Sequence, residues 1–136
     1  MNHKVLLVED DTMIGENIVI GLELEDISVV WIQDGQLASD MLADTDFSAA
    51  ILDFGLPGKS GYELLQEIRA RNDAMPIMII TALESSHVRE RCLNAGANFY
   101  LNKPFDLDEL IGKLRLMHSI GVSEAFPYGV IRRVQN

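Results

Sequence analysis

The sequence predicts an α/β domain built on a five-stranded parallel sheet with helices on both faces. Three observations predict it. Short apolar runs recur along the chain, each followed by a segment whose apolar residues repeat at helical spacing. The connections are short, as in repeated strand–helix units. Four of the runs are too apolar for strands with one wet face, which calls for helices on both sides.

The 136 residues are enough for one domain with a single core. Apolar residues make up 48% of the chain, which excludes disorder as its general state. No apolar run is long enough to span a bilayer, and the first residues lack the layout of a secretory leader. The single cysteine, Cys92, has no internal partner and fits a reducing compartment. A cytoplasmic protein is expected. A net charge of −10 argues against direct contact with nucleic acid and suits a bound cation or a basic partner.

Val5–Val8 is the first strand, and it ends at Glu9-Asp10-Asp11. Ile14, Ile18 and Leu22 mark the helix after it. Val29–Ile32, β-branched and aromatic, is the second strand. Asp34-Gly35 makes a turn, and Ala38, Met41 and Leu42 line a shorter helix. The third strand, Ala49–Leu52, runs into Asp53 and then a loop, Phe54 to Ser60, rich in turn-forming residues. Ser60 and Glu63 match a capping box for a helix carrying Leu64, Leu65 and Ile68. Ile77–Ile80 is the fourth strand, ending at Thr81-Ala82. Ser85 or Ser86 caps a helix with Val88 and Cys92 that stops at Gly96. Phe99–Leu101 is a shorter fifth strand leading to Asn102-Lys103-Pro104. Asp106 and Glu109 open the last helix, which buries Leu107, Leu110, Ile111, Leu114 and Met117. Met13, Met41 and Met78 read as core fillers, and His87 as a solvent residue. Residues 1–118 form the predicted domain. Residues 119–136 read as a linker or C-terminal extension, with Val130–Val134 able to form a short strand. Whether that segment docks, links or stays disordered is open from the sequence.

Right-handed crossovers point all strand ends the same way, so the residues at those ends converge. They are Glu9 and Asp10, Asp53, Thr81 and Lys103. Three carboxylates about 5 Å apart at an effective dielectric near 20 repel by roughly 3 kcal/mol per pair. A hard divalent cation with oxygen ligands relieves this, and Mg²⁺ fits because it needs few carboxylates. The Gly55 carbonyl is a further candidate oxygen. Lys103 is expected across the site as a second positive charge. Such a set suits phosphoryl chemistry: Asp53 as nucleophile, with the Thr81 hydroxyl and Lys103 on the phosphoryl oxygens. Small Ala82 leaves room for that group. Asp11 either lies near the metal, reached through water, or caps the first helix.

The ordered set Val8-Glu9-Asp10-Asp11, Asp53-x-x-Leu56-Pro57-x-x-x-Gly61, Thr81-Ala82 and Tyr100-x-x-Lys103-Pro104-Phe105 resembles the receiver domain of two-component response regulators. The likeness covers residues 3–118. It implies the doubly wound, flavodoxin-like (βα)5 fold of CheY-like receivers. It also implies a phosphoryl group accepted by Asp53 from a histidine kinase or a histidine phosphotransfer protein. Glu9, Asp10, Asp53 and the Gly55 carbonyl would hold Mg²⁺. Thr81 and Tyr100 would form the switch, and Lys103-Pro104 a cis peptide. The chain would then be a phosphoprotein that assists its own phosphorylation and dephosphorylation, not an enzyme with outside substrates. Its output surface would be the fourth helix, fifth strand and fifth helix, which carry both charge signs and could pair with a second copy. A DNA-binding output domain is one expected partner in a longer chain.

Two departures stand out. Relatives with winged-helix outputs and dimerising receivers have two acids before the switch tyrosine, where this chain has Asn98-Phe99. That specific dimer is therefore not expected. The positions two beyond Asp53 and Thr81 are Gly55 and Leu83, neither able to orient an attacking water, so a long-lived phosphoaspartate is expected. A haloacid-dehalogenase-like phosphatase would need an acid where Gly55 stands. A nucleotide-binding module would need a phosphate-cradling first loop, which is acidic here. A stand-alone or phosphorylation-independent receiver acting as a protein-interaction module is the alternative.

Overall fold

The computed structural model describes residues 4–122, with side chains described through residue 119. Five strands, β1 (Lys4–Val8), β2 (Ser28–Ile32), β3 (Ala49–Asp53), β4 (Ile77–Thr81) and β5 (Phe99–Asn102), form one parallel sheet in the order β2-β1-β3-β4-β5. The helices are α1 (Thr12–Leu24), α2 (Gly35–Asp44), α3 (Gly61–Ala70), α4 (Ser86–Asn94) and α5 (Leu107–Val122). No helix among the described residues is long and apolar enough to cross a membrane.

Every residue of β3 and β4 is buried, because both strands lie inside the sheet and are covered on both faces. Leu6, Val8, Leu52 and Ile79 pack on one side with Leu64, Leu65 and Ile68 of α3 and Cys92 of α4. Leu7, Ile51, Met78 and Ile80 pack on the other with Ile18 and Leu22 of α1 and Leu110, Leu114 and Met117 of α5. The alternation of side chains along each strand feeds two separate cores. Burial also pushes the Cys92 thiol up, so it stays protonated and serves as packing.

Two expectations fail. The apolar β2 run is only half-buried, because β2 is an edge strand with a neighbour on one side alone. Met13 is 72% exposed and fills no core; it lies in the first turn of α1, off the face that carries Ile18 and Leu22. Met78 is fully buried as expected.

The caps follow the sequence signals. Ser60 and Glu63 form the complete capping box of α3. Asp11 caps α1 by accepting the Ile14 N–H at 3.1 Å, and Ser85, not Ser86, caps α4. Residues 119–122 continue α5, while the remainder of the expected extension, including Val130–Val134, lies outside the described residues.

Candidate functional site

The register of the sheet builds the site. Val8 pairs with Leu52, and Asp53 pairs with Ile80, so the residues that follow β1 and end β3 stand at one level. Thr81 pairs with Asn102, which sets Lys103 just beyond them. Glu9, Asp53 and Thr81 are the buried polar side chains of the described residues, and all three lie here. Carboxylate oxygens of Glu9, Asp10 and Asp53 fall within 4.8 Å of one another. Asp10 is the exposed member and Glu9 the deepest, at 0% exposure.

Lys103 does not sit across from the acids as expected; it sits between two of them. Its Nζ is 2.8 Å from Glu9 Oε1 and 3.2 Å from Asp53 Oδ2. The Lys103-Pro104 peptide is cis. Burial pushes the Glu9 carboxyl up to about 7, although Lys103 and the Asp11 N–H pull the other way. Burial works to lower the Lys103 ammonium, but Glu9 and Asp53 outweigh it and hold it above the usual lysine value. Asp53 Oδ1 accepts the Gly55 N–H at 3.3 Å.

The donor set fits a hard cation. All candidate ligand atoms are oxygens, from three carboxylates that repel without one. Glu9 Oε1 is buried and accepts no well-directed hydrogen bond; its close neighbour is the lysine ammonium. Lys103, half-buried beside them, adds one positive charge and leaves this trio net negative.

The loop after β3 is pinned at several points. Gly61 lets α3 start hard against the end of β3: a Cβ there would lie 2.2 Å from the Asp53 carbonyl oxygen. Lys59 Nζ reaches Glu67 Oε2 at 2.5 Å and Ser39 Oγ at 3.2 Å, tying the loop to α3 and α2. Burial acts against the Glu67 carboxylate, yet Lys59 and Ser39 hold it below its ordinary value.

Thr81, Tyr100 and Asn102 meet at the backbone of Leu83. The Leu83 N–H donates to Thr81 Oγ1 at 3.1 Å. Its carbonyl accepts the Tyr100 hydroxyl at 3.3 Å and Asn102 Nδ2 at 2.7 Å. Burial raises the tyrosine hydroxyl above its usual value, which keeps it a donor. Ala82 beside them is exposed.

Sequence reasoning missed three residues. Trp31 Nε1 donates to the Glu9 carbonyl at 2.9 Å. Asn98 Oδ1 accepts the Ile77 N–H at 2.8 Å while its own N–H donates to the Ile77 carbonyl, also at 2.8 Å, extending the β4–β5 ladder by a side chain. Arg69 holds Asn98 Oδ1 and the Gly96 carbonyl. A lone Trp in the second apolar run and a glycine four residues after the first helix cap were the available signals.

The family model of the response regulator receiver domain matches residues 5–115. The chain belongs to that family. Its sequence is 38% identical over 124 residues to response regulator protein PmrA of Pseudomonas aeruginosa, covering 91% of this chain and 56% of PmrA. The chain spans about half the length of the curated relatives it matches. The receiver domain of the Francisella response regulator 1452 superposes with a TM-score of 0.83 at 30% identity, covering 87% of this chain and 98% of that one. The receiver domain of sensor histidine kinase PA1611 from P. aeruginosa superposes at 0.79 with 33% identity, covering 88% and 99%. That structure has a magnesium ion coordinated in its active-site cleft. The receiver fold and the two-component class expected from the motifs are thus established.

Proposed function

We propose that this receiver accepts a phosphoryl group on Asp53 with the help of Mg²⁺, and that the modification switches the α4–β5–α5 face. The observation that carries the reading is the convergence of two further carboxylates and one lysine on the buried Asp53.

Glu9, Asp10, Asp53 and the Gly55 carbonyl would hold Mg²⁺. Its charge would offset that of the acids and of the incoming phosphoryl oxygens. An Asp53 carboxylate oxygen attacks phosphorus, the P–N bond of a phosphohistidine breaks with its electron pair staying on nitrogen, and the ring, already protonated at its other nitrogen, leaves as neutral imidazole. Lys103 stands beside the attacking carboxylate, placed to take up charge on the phosphoryl group. Exposed Ala82 leaves the approach open. The donor is a histidine kinase or a histidine phosphotransfer protein. The chain turns over no outside substrate.

In the switch, the Thr81 hydroxyl leaves the Leu83 N–H for a phosphoryl oxygen. Tyr100 then gives up the Leu83 carbonyl and turns into the vacated space. The phosphoryl group has only to bias a two-state equilibrium of a few kcal/mol. The output lies with another protein or another part of a longer chain, a DNA-binding domain among the candidates. An α4–β5–α5 homodimer, if formed, does not use an acid at position 98, whose Asn side chain is already committed to Ile77 and Arg69.

Incubation with phosphoramidate, a small P–N donor, followed by peptide mapping tests this reading. A hydroxylamine-sensitive adduct on Asp53 supports it; a folded protein modified elsewhere or not at all contradicts it.

A further inference from the structure

The geometry points to Trp31 as a positioning residue for the acidic ligand pair: its indole N–H fixes the peptide group that joins Glu9 to Asp10. This rests on the reading that those residues hold Mg²⁺.

Glu9 sits just past β1, where regular pairing ends. β2 nevertheless grips it from both sides. The Glu9 N–H donates to the Ile32 carbonyl at 3.0 Å, and the Glu9 carbonyl accepts Trp31 Nε1 at 2.9 Å. The carbonyl belongs to the planar unit that includes the Asp10 N–H, so fixing its plane fixes the direction in which the Asp10 Cα leaves. Downstream, the Asp11 N–H donates to Glu9 Oε2 at 3.0 Å, and the Asp11 carboxylate caps α1. The indole therefore acts on the one peptide of this turn that lies between two candidate ligands.

Gly15 shows that the indole is accommodated by the helix. A Cβ at that position would lie 2.0 Å from Trp31 Cζ2 and 2.3 Å from Cε2. α1 thus passes over the ring with no side chain at the crossing. Any residue larger than glycine must displace the indole, and with it the hydrogen bond to Glu9. Trp31 is the only tryptophan of the chain, so it also reports on the site by its own emission. Groups that orient metal ligands from behind typically matter 10- to 100-fold for affinity, and this bond acts on backbone, at the low end of that range.

The test is Mg²⁺ titration by calorimetry of the wild-type protein, Trp31→Phe and Gly15→Ala, with melting curves beside each. A second form carries β-(3-benzothienyl)alanine at position 31, which keeps the bicyclic shape and lacks the N–H. The expected result is about tenfold weaker Mg²⁺ binding in all three, with the benzothienyl form melting as the wild type does. Wild-type tryptophan emission is expected to titrate with the calorimetric midpoint. Wild-type affinity in the benzothienyl form would overturn the inference while leaving the Mg²⁺ reading intact. Absence of Mg²⁺ binding to the folded wild type would overturn both.

Discussion

Lys103 lies closer to Glu9 than to Asp53: its Nζ is 2.8 Å from Glu9 Oε1 and 3.2 Å from Asp53 Oδ2. The lysine therefore bridges the deepest acid and the proposed phosphoacceptor. It offsets part of a local negative charge that it cannot cancel alone.

Glu9 should make the metal-free protein lose stability as pH rises. Burial first, then the neighbouring Asp53, raises its carboxyl from 4.5 to about 7. Below the unfolded value both states hold the proton and the group contributes nothing. Between the two values folding must hold a proton that the unfolded chain has released. Above about 7 the folded state carries the full cost, on the order of 3 kcal/mol. Urea unfolding in EDTA checks this at pH 5.5 and pH 8. The stability of Glu9→Gln relative to wild type is expected to rise between those values; a constant difference would contradict it.

Replacing Lys103 by Met should leave two buried acids facing each other. Breaking a buried pair costs about 3–5 kcal/mol, and protonation of Glu9 relieves part of it at low pH. The variant is expected to melt much closer to wild type at pH 5.5 than at pH 8. Millimolar Mg²⁺ should restore part of the deficit at pH 8, read by thermal melting. Equal deficits at all pH values, untouched by Mg²⁺, would argue against a shared acidic site.

Asn98 holds β4 to β5 through the Ile77 N–H, which is buried. Asn98→Ala should cost about 1–3 kcal/mol by leaving that donor unpaired. Asn98→Asp keeps an acceptor for Ile77 and Arg69 and should cost clearly less. Chemical denaturation of the two variants decides; an equal loss would mean the acceptor is not the point.

The phosphoaspartate should persist for minutes or longer in Mg²⁺. Gly55 offers no side chain to orient water, and Leu83 an apolar one. Gly55→Asn places an amide there with nothing within 4 Å to obstruct its Cβ, and should shorten the lifetime. Phosphate release from the isolated adduct measures both. A wild-type lifetime of seconds would contradict the expectation.

Much of this molecule was legible in its residues. The runs at Ile51 and Ile79 announced central strands because burial on both faces leaves no polar residue to break them. Asp53, Glu9 and Lys103 could be placed together because parallel strands put their ends on one edge. The edge position of β2 was not legible, since Val29–Ile32 is as apolar as a central strand and strand order is a property of the whole sheet. Met13 misled because its apolar character was weighed without its place on the helix, one residue and about 100° away from the stripe of Ile14, Ile18 and Leu22. The roles of Trp31 and Asn98 depend on long-range hydrogen bonds, whose partners no local pattern announces.

Intact mass after incubation with acetyl phosphate, with and without Mg²⁺ and beside Asp53→Ala, tests the central claim most directly. One added phosphoryl group that requires Mg²⁺ and disappears in the variant is the predicted result. An unmodified protein that is folded and loaded with Mg²⁺, or an adduct that survives in Asp53→Ala, would contradict it.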